Sequence, residues 1–132
     1  MTGEAAFGIL LAHLAGDYLI QSDWMANEKT KRWRPAWAHA ITYGLPYLLV
    51  TQSPVALTVI VVTHAVIDRY RLARHVVWAK NLLAPKEHRY PWSECAATGY
   101  YKDCPVWMAV WLMIIADNTM HLAINASAVM WL

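Results

Sequence analysis

Three apolar stretches of the chain each carry a histidine and an aspartate four residues apart: His13 with Asp17, His64 with Asp68, and Asp117 with His121. Residues at i and i+4 share one face of a helix, so each pair presents imidazole nitrogen and carboxylate oxygen in a common direction. With six His and five Asp in 132 residues, chance would supply roughly 0.5 such pairs. Three, all within apolar runs, is a pattern. The order inside the pairs adds to it. The first and third apolar segments read His then Asp, and the last reads Asp then His. In an up-down bundle the last helix runs antiparallel to the other two, so the inversion stacks His13, His64 and His121 in one layer. Asp17, Asp68 and Asp117 then form a second layer one turn away. The second apolar segment adds His39, expected level with the aspartates or just below them.

Four histidines and three aspartates converging on one interior are seven potential ligands. Imidazole and carboxylate suit Zn, Fe or Mn, and so many ligands fit two divalent ions. A carboxylate can bridge such a pair and leave positions open for water and substrate. Asp17, Asp68 and Asp117 would bridge the ions or position that water. Two blander readings use the same residues: polar contacts that lock helices together, or a proton or ion path, the usual work of ionisable groups inside a membrane.

The elements that must position these residues are helices. The spacing predicts four, over about 3–21, 35–50, 54–81 and 105–131, in a single domain of 1–132. Gly44 and Pro46 predict a kink in the second. Thr51-Gln52-Ser53-Pro54 reads as a tight turn, and 82–104 as an irregular polar loop. Residues 35–67 contain no Asp, Glu, Lys or Arg, and from Cys104 to Leu132 the only formal charge is Asp117. Charged residues make up 15% of the chain, against roughly 25% in ordinary soluble domains. The expectation is an all-α, four-helix transmembrane bundle with up-down topology, the lipid bilayer its first partner. The second helix is short for a span. A net charge of +2 is too small to imply a polyanionic partner, and no nucleic acid is expected.

Charge placement agrees with that topology. Four basic residues lie between the first two helices and the other seven between Arg69 and Lys102. An up-down bundle puts both segments on one side, cytoplasmic by the positive-inside rule, with both termini outside. The Trp and Tyr residues at helix ends read as an interfacial belt. No Lys or Arg precedes the first apolar run, which argues against a cleavable signal peptide. Cys95 and Cys104 allow one disulfide, which a reducing cytoplasm would keep open. No GxxxG-like face compels a homodimer, although a bundle of this size can form one.

The segments LLAHLAGDYLIQSDWMANEK (10–29), THAVIDRYR (63–71) and DNTMHLAIN (117–125) resemble a family of small membrane proteins of bacteria and bacteriophages catalogued as a domain of unknown function. The features carrying the resemblance are the His-x3-Asp helix with its following Gln, Trp and Lys, here His13, Asp17, Gln21, Trp24 and Lys29. More distantly, the layout is similar to inner-membrane proteins known as membrane-bound metal-dependent hydrolases. That resemblance implies the inner membrane of a bacterial host and a hydrolytic reaction.

The aspartate layer lies about fourteen residues, roughly 20 Å, from the outer helix ends, nearer the cytoplasmic face. Lys29, Arg69 and Arg71 stand just beyond it, where a phosphate group could be oriented against the metals. The first expectation is a metal-dependent hydrolase acting on a lipid or phosphoester at the cytoplasmic leaflet. The alternative is a non-enzymatic membrane protein: a proton or metal-ion pathway, or a phage factor that interferes with its host. The apolar outer half of the bundle disfavours a pathway.

Overall fold

The computed structural model describes residues 2–132, and among them no strand occurs. Helix α1 (Gly3–Leu14) starts at an N-cap, Thr2, whose side chain accepts from the Ala5 amide at 3.2 Å, with Glu4 complementing the helix dipole. It runs directly into a π-helical segment, Ala15–Ile20, which sets Asp17 on a widened turn, a feature often found at functional sites. Gln21 then turns extended and donates from its amide to the Asp17 carbonyl at 3.1 Å. Ser22 caps the short α2 (Asp23–Glu28).

Helix α3 (Trp33–Gly44) tightens into a 3-10 segment, Leu45–Leu49. Pro46 has no amide hydrogen to continue the α pattern, so the kink expected at Gly44 and Pro46 takes this form. Helix α4 (Pro54–Tyr70) carries His64 and Asp68. The helix expected over 54–81 is two helices. Arg71 adopts φ 52° and breaks it before α5 (Ala73–Asn81). A 3-10 turn at Lys86–His88 and the short α6 (Trp92–Cys95) follow, then the 26-residue α7 (Val106–Trp131).

By their contacts the residues group into two compact units. The first is Met1–Tyr70 with His121–Leu132, and the second is Arg71–Met120. Within the first, α1, α3, α4 and the end of α7 enclose a core built around Ile9, Ala12, Tyr43, Tyr47, Ala56, Ile60 and Ala128. Long-range hydrogen bonds tie it together: Tyr47 to Ile9, Asn125 to Tyr43, and Ser53 to Leu132. Within the second, Gly99 at φ 86° lets the chain return against α5. There Asn81 donates to the Gly99 carbonyl at 3.2 Å, and Arg74 donates to the Ala96 carbonyl at 2.9 Å.

Of the described helices, only α7 is both long and apolar enough to cross a membrane. Four full spans are therefore not supported by helix length. The all-helical class is.

A test of the second unit follows from Gly99. A Cβ there would overlap the Arg74 carbonyl oxygen and lie 2.7 Å from Val77 Cβ, at a φ that side chains resist. Gly99→Ala is expected to cost about 2 kcal/mol. Hydrogen exchange should show α5 amides opening at least about tenfold more often, with the amides of α1 and α3 unchanged.

Candidate metal centre

Six ionisable side chains are buried in the first unit: His13, Asp17, His39, His64, Asp68 and His121. Each arrives by helix geometry. His64 and Asp68 occupy successive turns of α4, and Asp17 comes from the π-helical turn after α1. His39 comes from the middle of α3, and His121 from the part of α7 that belongs to this unit. Small neighbours such as Ala12, Ala36, Ala40 and Ala65 leave room for imidazoles between the helices.

Four of their atoms form a compact set. His39 Nε2 lies 2.9 Å from His64 Nε2, 3.1 Å from Asp17 Oδ1 and 3.3 Å from Asp68 Oδ2. His64 Nε2 lies 3.2 Å from Asp68 Oδ2 and 3.5 Å from Asp17 Oδ1. An ion bound tetrahedrally at about 2.0–2.1 Å holds neighbouring ligand atoms about 3.3–3.4 Å apart. The five separations bracket that value. Asp17 Oδ1 and Asp68 Oδ2 thus face the same two imidazole nitrogens. Two donor triples have the composition and closeness to hold a metal ion: Asp17, His39, His64 and His64, Asp68, His121.

The remaining candidates fall around this set. His121 Nε2 lies 3.4 Å from Asp68 Oδ1, the oxygen turned away from the four-atom group. His13 Nδ1 meets the Tyr43 hydroxyl at 2.8 Å and Asp17 Oδ2 at 3.5 Å. The expected neighbourhood of His13, His64 and His121 is seen in ring centroids 6.1 Å and 4.2 Å apart, and His39 is level with the aspartates. Asp117 belongs to neither triple and groups with the second unit.

Of the three expected substrate-binding cations, Lys29 reaches the cluster, its ammonium 2.7 Å from Asp68 Oδ2. Arg69 instead donates to the Thr30 carbonyl at 2.8 Å and stands 5.7 Å from the centroids of both Trp33 and Tyr70. Arg71 donates to the Ala97 carbonyl at 2.9 Å within the second unit. Cys95 and Cys104 are free thiols, and burial pushes the Cys95 thiol up.

Sequence reasoning missed the polar network beside the cluster. Asn125 donates through one amide nitrogen to Tyr43 at 2.6 Å and Tyr47 at 2.7 Å, and Tyr47 donates to the Ile9 carbonyl at 3.3 Å. A signal existed. Tyr43 lies four residues after His39, Tyr47 four further on, and Asn125 four after His121, so all three share the faces that carry ligands.

The fold and site are those of an all-helical protein with a buried His/Asp cluster able to hold a metal ion. Residues 6–92, about two thirds of the chain, match the family described as "Protein of unknown function (DUF3307)", and the chain belongs to that family. The match includes Asp17, His39, His64 and Asp68 and ends before α7. No curated protein and no solved structure matches the chain.

The Lys29–Asp68 pair can be tested without any ion. Lys29→Met leaves a carboxylate that is 5% exposed without its ammonium and should destabilise by about 2–3 kcal/mol. Lys29→Met with Asp68→Asn should recover most of that loss in thermal unfolding of the purified protein, because the orphaned charge is gone.

Proposed function

We propose that this protein is a membrane-embedded, metal-dependent hydrolase that acts on a lipid or phosphoester at the cytoplasmic leaflet. The observation that carries the reading is the buried triple of Asp17, His39 and His64, whose ligand atoms lie 2.9–3.5 Å apart, with Asp68 against both histidines. Composition suggested two ions. The two donor triples share His64, however, and one imidazole nitrogen ligates one ion, so we read one divalent ion. Zn, Fe and Mn all suit the donors.

The polarity of the first unit supports the membrane. Its interior holds histidines, carboxylates, Asn125 and alanines, whereas Phe7, Leu19 and Leu49 are 62%, 83% and 93% exposed. Apolar surface outside and ionisable groups inside suit hydrocarbon rather than water. Trp107, Trp111 and Ile115 of α7 are also exposed, at i, i+4 and i+8 along one face. We take the membrane to be a bacterial inner membrane, with the segment carrying Lys29 on the cytoplasmic side by its positive charge.

A divalent ion at this centre would supply Lewis acidity. Asp17, His39 and His64 form a three-ligand set of the kind that catalytic sites use, leaving a fourth position. Asp68 stands beside this set, its Oδ2 3.3 Å from His39 Nε2 and 3.2 Å from His64 Nε2. Its Oδ2 is close enough to accept a proton from a water there, and His121 at Oδ1 holds the carboxylate in register. Lys29, 18% exposed and the least buried member, marks the mouth. Two carboxylates, one ammonium and a divalent ion leave a net positive charge, which suits an anionic substrate such as a phosphoester.

The alternative ion or proton pathway needs polar groups through the full depth. Beyond Tyr47 and Asn125 the unit is closed by Ile9, Ala56, Ile60 and Ala128, and this apolar cap favours one-sided access.

Elemental analysis of detergent-purified protein should find about one equivalent of Zn, Fe or Mn, lost in His64→Ala. Asp68→Asn should lower the hydrolysis of phospholipid vesicles or an aryl phosphodiester by about 10²-fold or more. Less than about a tenth of an equivalent after reconstitution would remove the metal centre and bring the pathway reading forward.

A further inference from the structure

Histidines that ligate metals almost always donate their second ring nitrogen to a carboxylate, carbonyl or water, and that hydrogen bond fixes the ring. His39 and His64 both depart from this rule, each with a buried Nδ1 that no protein group among the described residues takes, and it is His64 on which an aromatic ring is stacked. The Nε2 of His64 faces Asp17, Asp68 and His39. Something else must hold the ring plane.

The ring of Tyr43 lies on His64 with centroids 3.7 Å apart and planes 18° from parallel. Tyr43 is fully buried and has little freedom to move away. Asn125 and His13 hold its hydroxyl at 2.6 Å and 2.8 Å. On the side of the π-helical turn it is backed by Gly16, where a Cβ would overlap the Tyr43 ring and come within 3.1 Å of its Cα. A rigid aromatic plate is thus clamped at its tip, backed by a residue without a side chain, and laid flat on the ligand shared by both donor triples.

We propose that Tyr43 is a positioning residue of the metal centre, and that stacking of its ring on His64 replaces the hydrogen bond that normally orients a ligating histidine. The inference rests on the metal reading above and divides the side chain into two jobs. The ring orients His64. The hydroxyl ties α1, α3 and α7 together through His13 and Asn125, and so serves stability.

The two jobs separate in a pair of variants of the full chain in detergent, titrated with Co2+ against a competing chelator while the d–d absorption spectrum is recorded. Tyr43→Phe keeps the ring and removes the hydroxyl. It should melt at lower temperature, yet bind Co2+ within about threefold of wild type with an unchanged spectrum. Tyr43→Leu removes the plate and should weaken Co2+ binding about 10–100-fold, the range for loss of a ligand's outer support, with an altered spectrum. Wild-type affinity and spectrum in Tyr43→Leu would overturn the proposal. So would a tenfold or greater loss of affinity in Tyr43→Phe, which decides the matter even where Tyr43→Leu does not fold. A wild-type protein that takes up no Co2+ removes the metal centre and this inference with it, whereas failure of the stacking alone leaves wild-type binding intact.

Discussion

Two buried carboxylates govern this molecule. Asp17 and Asp68 are 8% and 6% exposed, and both face the same two imidazole nitrogens. Charges of one sign placed together out of water are costly unless cations and hydrogen-bond donors gather around them. The first unit gathers them from every side. Lys29 comes from the connection between α2 and α3, His39 from α3, His64 from α4 and His121 from α7. Each helix contributes a group that compensates a carboxylate, so the cluster specifies how the helices register on one another. Apolar packing alone, which tolerates sliding, would specify it less sharply.

Several local irregularities make sense under that constraint. The π-helical turn carries Asp17, where a widened turn alters the direction of one side chain without breaking the helix. Gly16 sits beside it because Tyr43 approaches too closely for a Cβ. Arg69, one residue after Asp68, is turned to the Thr30 carbonyl and to Trp33. It thereby anchors the segment that delivers Lys29 to Asp68. Backbone and side chains around the cluster are arranged to hold two anions and the groups that face them.

Much of this was legible in the sequence because the i, i+4 rule acts within one helix and needs no tertiary information. His13/Asp17 and His64/Asp68 could be read as pairs, and the reversed pair on the last helix gave the layering that brings His121 beside His64. Periodicity says which face a residue shares with its neighbour but not which compact unit it joins, and contacts group Asp117 with the other unit. The break at Arg71 was equally hidden. A positive φ is adopted here by a residue with no preference for it, so no glycine or asparagine announced it. Tyr43, Tyr47 and Asn125 went unread for a different reason. Tyrosine in an apolar helix is ordinary at a membrane interface, and only the packed structure shows these hydroxyls turned inward.

The distribution of polar contacts also bears on direction. From Asp68 toward Lys29 the polar groups lead outward, to the least buried member of the cluster. From Asp17 through His13, Tyr43 and Tyr47 they lead inward and end at the Ile9 carbonyl, among Ile60, Ala56 and Ala128. Among the described residues, this chain of hydroxyls leads to Asn125 and a backbone carbonyl inside an apolar cluster. Its remaining work is mechanical: satisfying buried polar atoms and fixing rings. The cluster is therefore built with one working side and one supporting side. That asymmetry fits the proposed one-sided access, in which a substrate would arrive from the face bearing the basic segment while the helices stay still.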